Sequence, residues 1–105
     1  MKKFILFSAV KEKEYETMIR MLCETIDAKE YILTQIENER GVSTEELAGV
    51  FRKYTDKKII EEENLEKAFC MALKEKGEND RVYCLGSLYL VGMLKELIVG
   101  GKKHA

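Results

Sequence analysis

The sequence predicts an α/β fold: a three-layer α-β-α, Rossmann-like arrangement in which a mainly parallel sheet of about four strands carries helices on both faces. Two observations carry that expectation. Short apolar runs rich in β-branched and aromatic residues alternate four times with longer segments whose apolar residues recur every three or four positions. No repeat, low-complexity tract or linker interrupts the alternation, so residues 1–105 read as a single domain.

The elements follow in order. Phe4 to Val10 is a continuous apolar run, the pattern of a strand buried on both faces. Lysines precede it as in a secretion signal, but the run is short and meets "KEKE" without a cleavage region. Glu14 to Ile26 is a helix whose stripe is Met18, Met21, Leu22 and Thr25, and Tyr31 to Ile36 is the second strand. The polar "ENERGVSTEEL" ends in a capping box, Ser43 with Glu46 three residues on, which launches a helix through Tyr54. Lys58 to Glu61 is a charged, short strand suited to a sheet edge. Asn64 caps a third helix with the face Leu65, Ala68, Phe69, Ala72 and Leu73, and Gly77 is expected to end it. In "DRVYCLGSLYLVGMLKEL" a strand from Arg81 to Leu85 stops at Gly86-Ser87, and Leu88, Val91, Leu94 and Ile98 resume at helical spacing. Gly92 inside that last helix costs about 1 kcal/mol against alanine, and close packing on a strand is the expected reason.

Right-handed crossovers favour the strand order 3-2-1-4, which makes the first and fourth strands neighbours and places Leu6 beside Cys84. The loop after Val10, the "ENER" loop and the Gly86-Ser87 turn then meet at the carboxyl end of the sheet, where open α/β sheets bind ligands.

Composition narrows the function classes. Eighteen basic and nineteen acidic residues are interspersed, giving a net charge of −1 and no nucleic-acid footprint. No segment approaches the length of a membrane span. Cys23, Cys70 and Cys84 are widely spaced, form no CxxC pair and read as reduced buried thiols of a cytoplasmic protein. Neither a G-x-G-x-x-G nor a G-x-x-x-x-G-K-[ST] segment is present, the lone His104 sits in a polar tail, and no nucleophile, base and orienter set can be assembled.

Three stretches resemble folylpolyglutamate synthases, including the bifunctional dihydrofolate synthases. "GSLYLVG" resembles the family's strand-to-helix motif near its end, "SAVKEKEYETM" its strand-end D-K-D pattern, and "TQIENERGVSTEELA" its N-P-R-A-x-x-x-E-E-L segment. The likeness runs from Phe4 to about Leu97. It implies most of the C-terminal, glutamate-binding domain that the family shares with Mur ligases. The family's D-G-A-H-N-P segment, its P-loop and its metal ligands have no counterpart in this sequence. The parent enzyme implied by the resemblance uses ATP and Mg2+ to activate a folate γ-carboxyl as an acyl phosphate, which the amine of L-glutamate attacks. Both nucleotide and metal would be held by the N-terminal P-loop domain of the same polypeptide, so this chain is expected to hold no cofactor and to be inactive alone. No membrane or nucleic-acid partner and a monomeric state are expected.

The resemblance also nominates site residues. Ser87 and Tyr89 would donate hydrogen bonds to glutamate, Arg40 would meet a carboxylate with its planar fork, and Asn38 would lie beside it. Lys13 would face nucleotide or the interdomain surface. Glu12 and Glu14 stand where the family has aspartates, Ser8 near a usual glycine, and Glu39 in place of proline. As ordinary structure, Lys13 and Arg40 would be solvated loop charges, Ser87 a helix cap and Tyr89 a ring at the sheet edge. Two other readings stay open: a free-standing, non-catalytic Rossmann-like binding module, and the C-terminal domain of a Mur-type peptidoglycan ligase.

Overall fold

The computed structural model of the protein describes residues 2–11, 14–35 and 40–85. Among these residues four strands, β1 (Lys3–Phe7), β2 (Glu30–Leu33), β3 (Lys58–Glu61) and β4 (Arg81–Leu85), alternate with three helices, α1 (Tyr15–Thr25), α2 (Thr44–Tyr54) and α3 (Leu65–Glu75). All three pairings are parallel and the order is β3-β2-β1-β4. Leu6 lies opposite Cys84 on the neighbouring strand, as the crossover rule requires.

Alternation along the strands sorts the core into two layers. Ile5, Phe7, Tyr31 and Leu33 face α1 and α2, whereas Leu6 and Ile32 face Leu65, Ala68 and Ala72 of α3. Phe51 of α2 anchors the larger layer, edge-on to Phe7 with ring centroids 5.4 Å apart and tilted against Tyr31 at 4.8 Å. The central strands β1 and β2 are almost wholly buried, while β3 alternates exposed ends with half-buried Ile59 and Ile60. That is the edge-strand character expected of a short, charged segment.

Capping follows the sequence signals. Ser43 Oγ accepts from the Glu46 N–H at 3.2 Å, and Asn64 Oδ1 accepts from the Lys67 N–H at 2.9 Å. The Glu46 carboxylate also accepts the Tyr15 hydroxyl at 3.1 Å, tying the first turns of α1 and α2 together. Burial, followed by that hydrogen bond to a carboxylate, raises the Tyr15 pKa.

Several expectations are corrected. β1 ends at Phe7 and β2 at Leu33: Ser8 and Thr34 still donate to neighbouring strands, but from Ala9 and Gln35 onward the main chain bonds to loops. Met21 is 56% exposed and Leu73 48% exposed, so neither belongs to the core face assigned to it. Each lies about one position beyond the stripe that touches the sheet, where the helix surface turns toward water. Cys70 is exposed, and Cys23 and Cys84 are half-buried rather than enclosed. Gly77 is not a left-handed helix cap: α3 leaves through Lys76 in an extended conformation. Gly77 instead serves the turn that follows, its N–H donating to Asp80 Oδ2 at 2.8 Å while the Lys2 N–H donates to Oδ1 at 2.8 Å. Those two donors hold the Asp80 carboxyl below its ordinary pKa. The expected Gly86-Ser87 turn and last helix lie outside the described residues.

At the amino end of the sheet, Glu30 begins β2 with only 3% of its surface exposed. Its Oε1 lies 3.6 Å from Lys58 Nζ, beyond hydrogen-bond range, and has no hydrogen-bond donor among the described residues. Burial first, and then the neighbouring Glu75 carboxyl of α3, push its pKa up to about 7 against the opposing pull of Lys58.

Candidate functional site at the carboxyl end of the sheet

The carboxyl ends of β1, β2 and β4 are joined by main-chain hydrogen bonds. Ser8 N–H donates to the Leu85 carbonyl at 3.4 Å, and Thr34 N–H donates to the Phe7 carbonyl at 2.9 Å. Beyond Phe7 the chain runs on as Ser8 to Lys11 and meets the segment entering α2. Val42 N–H donates to the Ala9 carbonyl at 2.9 Å, Lys11 N–H to the Arg40 carbonyl at 2.8 Å, and Val10 and Gly41 form an antiparallel bridge. A parallel sheet is thereby closed at its top by a short antiparallel clasp. The clasp fixes Arg40 next to Lys11, with both residues exposed.

Of the residues nominated from sequence, Arg40 is the one the described structure places: it stands in the clasp above the β1 end. Lys13, Asn38, Ser87 and Tyr89 lie outside the described residues. The Lys11 N–H to Arg40 carbonyl bond brings the segment leaving β1 to the segment entering α2.

Two polar residues at the strand ends were missed. Thr34 is fully buried; its Oγ1 donates to the Glu63 carbonyl at 3.2 Å and Gln35 N–H to the same carbonyl at 3.4 Å, which locks the end of β2 to the start of α3. Ser8 is also fully buried, and its Oγ has no hydrogen-bond partner among the described residues. An unpaired buried hydroxyl costs about 1–3 kcal/mol. A small polar residue closing an apolar strand is the signal that could have drawn attention to both.

The arrangement suits recognition of an anion. α1, α2 and α3 all begin at this end, so their positive dipole ends point toward it, and Lys11 and Arg40 add two cations. Glu45 and Glu46 occupy the first turn of α2 and Glu66 that of α3, so these termini already carry negative charge. Among the described residues no three His, Cys, Asp or Glu side chains come together to hold a metal ion. No described helix is long and apolar enough to cross a membrane.

No protein-family model and no curated protein matches the sequence. Solved structures do match. FolC of E. coli in complex with ADP superposes with a TM-score of 0.86 at 16% identity over 98% of this chain and 23% of that one. The fold is shared with folylpolyglutamate synthases. FolC of E. coli in complex with DHPP and ADP gives 0.85 at 17% identity over 97% of this chain and 23% of that one. The bifunctional folylpolyglutamate synthase/dihydrofolate synthase of Yersinia pestis, complexed with AMPPNP and Mn ion, gives 0.75 at 21% over 92% and 22%. At these identities the likeness is one of fold, and the chain spans less than a quarter of each folylpolyglutamate synthase.

Proposed function

We propose that this chain is the glutamate-binding domain of an ATP-dependent ligase that joins L-glutamate to the γ-carboxyl of a reduced folate. The supporting observation is the superposition of nearly the whole chain on about a quarter of a folylpolyglutamate synthase, TM-score 0.86. The clasp that sets Arg40 above the sheet's carboxyl end is consistent with it.

In this reading the remainder of the ligase binds ATP, Mg2+ and folate and transfers the γ-phosphoryl group to the folate carboxylate. The amine of glutamate then attacks the acyl carbon, the amide bond forms, phosphate leaves and the amine gives up a proton. The work of this chain is positioning. Arg40 would hold a glutamate carboxylate through two parallel N–H donors, Ser87 and Tyr89 would add hydroxyl donors, and Asn38 would flank them. Lys13 would face the nucleotide or the surface between domains. The chain supplies no phosphate cradle of its own to this scheme.

The test mixes the chain with E. coli FolC lacking its matched portion and follows labelled glutamate onto tetrahydrofolate. Arg40→Ala is expected to raise the glutamate KM at least tenfold, with the ATP and folate constants unchanged. Ser87→Ala should raise it tenfold to a hundredfold, since hydrogen bonds to a charged group are worth about 1.5–3 kcal/mol. Absence of glutamate transfer, together with micromolar glutamate binding by the chain alone in calorimetry, would replace this reading with that of a self-contained binding module.

A further inference from the structure

At the amino end of the sheet, away from the candidate site, Phe4, Lys29, Glu30, Lys58 and Glu75 line a cavity of about 260 Å3. Phe4, Glu30 and Lys58 stand in register across β1, β2 and β3. They therefore share one face of the sheet, the face that α3 covers. The last residue of α3 is Glu75, and its carboxyl comes beside that of Glu30. The Lys58 side chain is 66% exposed and that of Glu30 3% exposed, so this ion pair straddles the boundary with water. Among the described residues no hydrogen-bond donor reaches Glu30 Oε1.

Two carboxyls in this position cannot both ionise without cost. Burial disfavours the charge on Glu30, and an ionised Glu75 repels it. Glu75 also stands at the carboxyl end of α3, where the helix dipole disfavours a negative charge. One proton between the two groups replaces repulsion with a hydrogen bond that ties α3 to β2. The other charges at the cavity are cationic. Lys58 faces Glu30 from β3, and Lys29 Nζ lies over the Phe4 ring at 5.9 Å, near Lys2 and Asp80. The ring of Phe4, which β1 contributes, is uncharged. Just beyond α3 the chain is pinned, because the Asp80 carboxylate accepts from the Gly77 and Lys2 N–H groups. Any movement of α3 at this end is thereby confined to its last turn.

We propose that Glu30 and Glu75 form a proton-operated latch: with one proton between them the last turn of α3 is held on β2, and loss of that proton releases the turn while Lys58 closes on Glu30. The latch does not rest on the ligase reading. In the released turn water reaches Glu30 and restores its ordinary acidity. Release therefore becomes more favourable as pH climbs from about 4.5 to about 7 and levels off above that. Amide exchange of the full chain, corrected for base catalysis, reads the release at the Lys76 N–H, which donates to the Ala72 carbonyl at 3.2 Å. The Thr55 N–H closes α2 on the Phe51 carbonyl in the same way at 3.0 Å and is the control, since both terminal amides exchange by local opening. Lys76 protection should fall about tenfold between pH 5 and pH 7.5 and then hold level, while that of Thr55 stays constant. Glu30→Gln keeps a donor toward Glu75 that pH does not remove, so the step should vanish. Glu75→Gln, at an exposed position, is the second variant; it should also abolish the step and lower the midpoint of the Glu30 13C-carboxyl titration. Equal loss of protection at Lys76 and Thr55, a step that survives both substitutions, or a Glu30 midpoint below pH 5 would overturn the latch.

Discussion

Replacing Glu30 with glutamine should make the protein more stable at pH 8 and leave it nearly unchanged at pH 5. Glu30 is 97% buried at the amino end of β2, close to the Glu75 carboxyl, with Lys58 Nζ at 3.6 Å as a counter-charge. Burial and then Glu75 raise its pKa from 4.5 to about 7. A carboxyl whose folded pKa is raised keeps its proton in the native state over a range in which the unfolded chain has lost it. Stability therefore falls as pH climbs from about 4.5 to about 7 and levels off above that. The whole displacement would correspond to roughly 3 kcal/mol. Glu75 is exposed, so water screens its share of the repulsion; about 1.5–2 kcal/mol is the working figure. Glutamine keeps the shape and a donor but cannot ionise, so this slope should vanish. Urea unfolding followed by circular dichroism at pH 5, 6, 7 and 8 reads the difference between the two proteins, which cancels the other titrating groups. A difference that stays flat across that range, or one that shrinks as pH rises, would refute the reasoning.

Three further outcomes follow from the packing and the strand ends. Phe51→Ala removes the ring wedged between Phe7 and Tyr31 and should cost about 3–5 kcal/mol in the same unfolding assay. Ser8→Ala deletes a buried hydroxyl without a partner among the described residues; stability should rise by about 1 kcal/mol, and a fall would mean that the hydroxyl is satisfied in solution. Asn64→Ala removes the acceptor of the Lys67 N–H and should cost about 1 kcal/mol, with exchange of the first-turn amides of α3 accelerating before those of α2.

The sheet order was legible because it rests on two signals that tertiary packing rarely overrides. One is the switch between apolar runs and helical spacing; the other is crossover handedness, which leaves few ways to arrange four such units. Caps at Ser43 and Asn64 were legible because the side-chain acceptor and its N–H donor are local. Which helix residues face water was less so. Met21 and Leu73 are as apolar as their buried neighbours, and only the angle at which each helix sits on the sheet decides that they remain outside. Gly77 misled for a related reason: a glycine after a helix signals a left-handed cap, but the competing carboxylate of Asp80, three residues on, takes its N–H into a turn instead.

The site was legible as a place more than as a set of contacts. The carboxyl end of a parallel sheet at a switch in strand order is a consequence of topology alone, and Arg40 was found there because the polar loop carrying it had to return to that end. The antiparallel clasp that fixes Arg40 beside Lys11 has no sequence signature, since it is made of main-chain groups from Ala9 to Lys11 and Arg40 to Val42. Ser8 and Thr34 show the same limit from the side-chain direction. Both end apolar strands as small polar residues, in register across β1 and β2. Yet Thr34 is satisfied by a carbonyl 29 positions away while Ser8 finds no described partner. Nothing within a few residues of either distinguishes them. The difference arises because α3 begins beside β2, so its Glu63 carbonyl reaches the end of that strand and not the end of β1. A crevice predicted from topology thus acquires its chemistry from segments far apart in the chain, and among the described residues Ser8 is the strand end whose hydroxyl no such segment meets, so the sign of the Ser8→Ala stability change decides whether that hydroxyl is a packing defect.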